Sequence, residues 1–209
     1  MKKIIEVMQN IVSRKGSSKV LTFSIPHVFK ALQLLGENKY VSRATFGREI
    51  HLGEGAVKTL ISHLREAKII ESTKSGSFLT DKGWKIVKQL QKTVPFESEI
   101  KKCSIVPGRK NHAIILKNYA FAIKSGLEQR DYAIMYGSSG CITILFQNNI
   151  FTFPREETDC FSNDQKTKQH IIENMHPENG DVIIISSSDD SFVAEISAKN
   201  SALWTMATN

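Results

Sequence analysis

Ile4, Ile5, Met8, Ile11 and Val12 recur at the spacing of one helix face, which predicts a short helix over residues 2–14. Its apolar stripe needs cover, either from its own chain or from a second copy. Lys15-Gly16-Ser17-Ser18-Lys19 breaks the pattern and reads as a loop. Ser24-Ile25-Pro26 then opens a second helix, with Ser24 as cap and Val28, Phe29, Leu32 and Leu35 inward. Ser42 caps a third over residues 43–50. A fourth, residues 55–67, has Val57, Leu60, Ile61 and Leu64 on one face. Two short β-prone runs, residues 69–73 and 78–80, flank the polar turn Lys74-Ser75-Gly76-Ser77 and predict a hairpin. Residues 84–93 carry Ile86, Val87 and Leu90 at helical spacing, and Val94-Pro95 ends that helix.

The pattern then changes. Residues 94–110 read as a linker or a first strand, the strand being Cys103 to Val106. Residues 113–116 are a strand, 118–136 helical with Gly126 interrupting, and 141–146 and 150–153 a hairpin across Gln147-Asn148-Asn149. Residues 166–175 form a helix. The uninterrupted apolar run from Val182 to Ile185 marks a buried central strand, and Asp189 or Asp190 caps a last helix. The expected class is α+β, a helical N-terminal domain (1–93), the connection 94–110, and a small mixed α/β domain (111–209).

Charge separates these halves. Residues 1–110 hold 21 Lys and Arg against 9 Asp and Glu, a net +12. Residues 111–209 hold 7 against 12, a net −5. A basic half joined to an acidic one suggests that only the first meets a polyanion. No apolar run reaches the length of a membrane span, and Glu6, Gln9 and Asn10 interrupt any signal-peptide core, so a cytoplasmic location and no membrane partner are expected. Cys103, Cys141 and Cys160 are widely spaced and odd in number, without a CxxC, and the six histidines form no HxxxH or HxH. Reduced thiols, no metal and no cofactor are expected.

Helices followed by a hairpin and another helix is the order of a winged helix-turn-helix. The segment VKTLISHLREAKIIESTKSGSFLTDKGWKIVKQL resembles the MarR/DtxR-type pattern. In that pattern a recognition helix (here Val57, Leu60, Leu64) leads into a strand (Ile69, Ile70), a wing and a Leu-Thr-x-x-Gly helix start (Leu79, Thr80, Gly83). The resemblance implies binding to double-stranded DNA. The residues agree on independent grounds. Opposite the apolar stripe, the fourth helix carries Gly55, Lys58, Thr59 and Ser62, suited to close approach, phosphate and base edges. Arg43 and Arg48 on the preceding helix and Lys74 on the wing would grip phosphate on either side. Glu54 reads as a helix-start residue.

A wider likeness covers most of the chain. Gly126-Leu127-Glu128-Gln129-Arg130-Asp131, then Ala133-Ile134, Gly137, Gly140 and Thr143, resemble a motif of an archaeal family of uncharacterised proteins that pair a winged helix with a small α/β domain. The chain departs from that motif at Ser138, Cys141 and Ile142. Glu128, Arg130 and Asp131 on one helix, with Ser138, Ser188 and Asp189 beside strand ends, are candidates for contacting a small-molecule effector, because α/β sheets place ligands at such ends. The expectation is a homodimeric, DNA-binding, non-enzymatic transcription regulator with a C-terminal ligand-sensing or dimerisation domain. The rival readings are an enzyme whose catalytic part is residues 111–209, and an adaptor whose winged helix docks on protein.

Overall fold

The computed structural model describes residues 1–13, 20–101 and 103–208. The loop read at Lys15–Lys19 lies outside them. The chain is α+β and divides into two compact units, Met1–Gln89 and Leu90–Asn209.

The first unit runs α1 (Lys2–Ile11), α2 (Ile25–Glu37), α3 (Arg43–Glu49), α4 (Glu54–Glu66), β1 (Ile70–Thr73), β2 (Gly76–Leu79) and the start of α5 (Asp81–Thr93). β1 and β2 form an antiparallel hairpin, and Val41, between α2 and α3, bridges Ser77 of β2. The stripe of α1 is covered within its own unit: Ile4, Ile5, Met8 and Ile11 are buried, α1 packs on α2 and α4, and His63 Nδ1 donates to the Ile11 carbonyl at 2.6 Å. Of the two roles open to this helix, burial within its own chain is the one observed, so this face is not the one a second copy would use.

Ser24 starts α2 as its sequence predicts, with a partner the sequence hides. His27 Nδ1 accepts from the Ser24 amide at 3.2 Å and lies 2.9 Å from the Ser24 hydroxyl. Burial lowers the His27 pKa from 6.5 to about 4. A depressed histidine pKa gives stability that is complete above pH 6.5 and is lost as pH falls toward 4. The unfolding transition of this unit should therefore move to lower temperature between those values. His27→Asn, which keeps an acceptor but does not titrate, should flatten that part of the profile.

The second unit is built on one five-stranded sheet, order β3 (Glu97–Ile100), β4 (Lys110–Leu116), β7 (Asp181–Ser188), β5 (Gly140–Gln147), β6 (Ile150–Thr152), in which every pairing is antiparallel. β7 is central and buried at all eight positions. On one face Ala113, Ile115, Ile144, Ile183 and Ile185 pack with Phe151, Phe161 and, from α7 (Gln165–Met175), Ile171 and Met175. On the other lie α6 (Leu127–Ile134) and α8 (Ser191–Ala207), packed against the sheet and each other. A sheet covered on both faces explains why β7 reads as a continuous apolar run.

Two elements differ from expectation. The first strand is Glu97–Ile100, paired with Asn111–Ile114, whereas Cys103–Val106 is not a strand: residues 104–106 turn, and the Ser104 amide and hydroxyl both donate to Asp164 Oδ2 at 3.1 Å. The stretch 118–136 is not one helix but a single 3₁₀ turn (Ala120–Ala122) and α6. Gly126 separates them at φ +80°, a left-handed conformation that stops the helix register, and a Cβ there would meet Thr143 Cβ at 3.2 Å.

Buried charge is paired. Asp181 is wholly buried and accepts from Lys117 Nζ at 2.7 Å, the Asn118 amide at 2.9 Å and the Glu178 amide at 2.7 Å. Lys199 on α8, also wholly buried, pairs with Glu97 and lies 3.2 Å from Glu195. Burial alone would raise the Glu97 pKa, but Lys199 and His112, whose Nε2 is 3.4 Å away, hold it well below the usual carboxylate range.

Candidate nucleic-acid interface

α4 is anchored by Val57, Leu60, Ile61 and Leu64, all buried, and this fixes what its other side presents. Lys58 and Ser62 are exposed and Thr59 is half-buried. In the free protein each has a local partner. Lys58 Nζ sits 3.0 Å from Glu54 Oε1, one turn earlier, and holds that carboxyl below its ordinary pKa, by hydrogen bond first and by charge second. Thr59 Oγ1 donates to the Gly55 carbonyl at 3.0 Å and Ser62 Oγ to Glu66 Oε1 at 3.1 Å. All these partners lie on α4 itself, so releasing the groups to a ligand disturbs no packing.

Gly55 is exposed, and a Cβ there would meet nothing within 4 Å. The fold gives no internal reason for glycine at that position. Arg43 opens α3, is exposed, and its charge is felt at Glu54, so the starts of α3 and α4 are neighbours. Arg48, near the end of α3, is exposed and its Nε donates to Glu49 Oε1 at 2.8 Å. Lys74 is exposed in the turn between β1 and β2.

The hairpin and α5 are locked together by Thr80 and Gly83. Thr80 Oγ1 donates to the carbonyls of Lys68 (2.8 Å) and Ile69 (3.0 Å) and accepts from the Gly83 amide at 3.1 Å. A Cβ on Gly83 would lie 2.2 Å from the Ile69 carbonyl oxygen. The Leu-Thr-x-x-Gly sequence is therefore the device that fixes the hairpin against the helix that follows it. Sequence reasoning missed a second surface beside it. Leu35, Tyr40, Phe78, Leu79 and Trp84 line a groove of about 160 Å³, with Tyr40 and Trp84 partly exposed. The available signals were the aromatic residues Tyr40, Phe78 and Trp84, each in or beside a turn or a short element.

The candidate effector residues are not gathered at one opening. Glu128, Arg130 and Asp131 are exposed on α6, Glu128 lying 3.9 Å from Lys124 Nζ. Ser138 and Ser188 are buried. Ser138 Oγ donates to backbone, 2.6 Å from the Gly140 carbonyl and 3.0 Å from that of Ser187, and accepts from Ser186 Oγ. Ser188 Oγ accepts from the Asp190 amide at 3.4 Å. Pro107 and Gly108 close over this turn: a Cβ on Gly140 would meet Pro107 Cδ at 2.9 Å, and one on Gly108 would meet Ser187 at 2.7 Å. Asp189 is exposed, 4.0 Å from Arg109 Nε, and Asp190 rather than Asp189 caps α8, accepting from the Val193 amide at 3.0 Å. The rule that placed a ligand at these strand ends belongs to parallel sheets, and this sheet is antiparallel.

Cys103 and Cys141 are buried and Cys160 half-buried. Burial raises all three thiols, Cys141 and Cys160 to about 12, so they are neutral thiols rather than ready nucleophiles. Among the described residues no three His, Cys, Asp or Glu side chains converge as metal ligands, and no helix is long and apolar enough to cross a membrane.

Residues 106–206 match the family described as "Domain of unknown function (DUF4443)". The solved structure of a hypothetical protein, PH0730 from Pyrococcus horikoshii OT3, is similar over 86% of this chain and 91% of that one, with a TM-score of 0.70 and 26% identity. No curated protein matches. The family match lies within the second unit, whereas the likeness to the Pyrococcus protein extends over residues of both units.

Proposed function

We propose that the first unit is a winged helix-turn-helix that binds double-stranded DNA, and that the chain is a transcription regulator acting as a homodimer. One observation carries the reading. The polar side of α4, with Gly55, Lys58, Thr59 and Ser62, lies opposite its buried stripe, and exposed cations stand on the elements before and after it: Arg43 and Arg48 on α3, Lys74 on the hairpin. A recognition helix needs such a two-sided build, with phosphate-gripping cations on adjoining elements. Glu54 occupies Lys58 until phosphate replaces it. The second unit is then the effector or partner domain, the net negative charge of residues 111–209 keeping that part off the nucleic acid.

The test is a fluorescence-anisotropy titration of a duplex oligonucleotide across a salt series. Lys58→Ala should weaken binding and reduce the log–log salt slope by about 0.9, the value for one lost phosphate contact. An unchanged slope would remove Lys58 from the interface.

A further inference from the structure

We propose that α6 is the dimerisation helix of this protein, and that it docks on the α6 of a second copy in antiparallel fashion about a two-fold axis passing between Arg130 and Asp131. The inference deepens the dimer part of the reading above and makes no use of DNA binding.

α6 turns Gln129 and Ala133 to the interior, against α8 and the sheet. Its other side is exposed, with large apolar groups in the open: Leu127 is 58% exposed and Ile134 42%, and Met135, which follows the helix directly, is 72% exposed. Isolated apolar side chains on a surface are ordinary, but Leu127 and Ile134, two turns apart on the exposed side of one helix, form an apolar patch.

What the patch fits is written in its own spacing. Leu127, Arg130, Asp131 and Ile134 stand at i, i+3, i+4 and i+7, one continuous stripe about 10.5 Å long. The stripe is self-complementary. Run antiparallel against itself about its midpoint, it sets Leu127 against Ile134 of the second copy and Arg130 against Asp131 of the second copy, and the symmetry repeats both pairs. An isologous interface requires this relation, residue i meeting j and j meeting i. The charges also select the register: a shift of one residue would place Asp131 opposite the same residue of the second copy, a like-charge contact. An interface centred on an eight-residue helix falls at the small end of the specific range, the class of weak, transient associations.

Sedimentation equilibrium of the full chain without DNA, over roughly 1 to 200 µM, tests this. The wild type should dimerise within that range, and Leu127→Glu combined with Ile134→Glu should weaken association at least about 30-fold. Arg130→Glu alone and Asp131→Arg alone should each weaken it by placing like charges together. The double variant Arg130→Glu with Asp131→Arg should restore it, which no general loss of folding could imitate. A wild type that stays monomeric throughout, a dimer that survives Leu127→Glu with Ile134→Glu, or a double swap that fails to restore association would each overturn the proposal. Because no nucleic acid is present, these results are separate from success or failure in the duplex titration.

Discussion

Replacing Arg43, Lys58 and Lys74 together by alanine should cost about two orders of magnitude or more in duplex affinity at 0.1 M salt. Each phosphate contact contributes about 0.9 to the log–log salt slope, which at that ionic strength is roughly eightfold in affinity. Three contacts multiply, because the residues stand on three different elements: the start of α3, the exposed side of α4 and the hairpin turn. The loss should be nearly the same for every duplex sequence, since these cations meet the backbone and not the bases. All three side chains are exposed, so the melting temperature should stay within a degree or two of the wild type. Anisotropy titrations and a thermal melt on the same preparation separate the two effects. If affinity falls by less than about threefold, the cations are only solvated surface.

Gly83→Ala should destabilise the first unit by about 3 kcal/mol, the upper end of ordinary overpacking. The added methyl would stand 2.2 Å from the Ile69 carbonyl oxygen and 2.9 Å from Leu79 Cδ2. The first of these is backbone and cannot turn aside. Relief requires α5 to lift away from the hairpin, which breaks the Thr80 bonds to Lys68, Ile69 and Gly83. Duplex binding should fall with stability, because the hairpin that carries Lys74 is held through the same contacts. Chemical denaturation followed by the fluorescence of Trp84, with Trp204 replaced by phenylalanine in both proteins compared, would report the change, and an unaltered midpoint would show that the close approach has no energetic weight.

Local chemistry made the first unit readable. Its helices bury narrow stripes, so Val57, Leu60, Ile61 and Leu64 show their period directly, and Ser24 and Ser42 mark helix starts that the structure also shows. The candidate site followed from the same argument, since a buried stripe fixes which residues lie opposite it. Contacts distant in sequence left less trace. Val41 bridging Ser77 and His63 holding the end of α1 cannot be seen from spacing. In the second unit β7 was visible because both its faces are covered, whereas β3 was hidden by its composition: Glu-Ser-Glu-Ile reads as a connection until Lys199 of α8 gives Glu97 a partner. α8 itself carries Ser197, Lys199, Asn200, Ser201 and Thr205 among its buried residues, so no polar face announces which side meets the core. The long helix expected over 118–136 failed at Gly126, where helical spacing on both sides concealed a left-handed turn.

The duplex affinity of the intact protein as a function of salt tests the DNA-binding reading most directly. With Arg43, Arg48, Lys58 and Lys74 on phosphate, the logarithm of affinity should fall with the logarithm of salt at a slope of about −3 to −4 per chain. A flat response, or no binding to duplex even in dilute buffer, would contradict it.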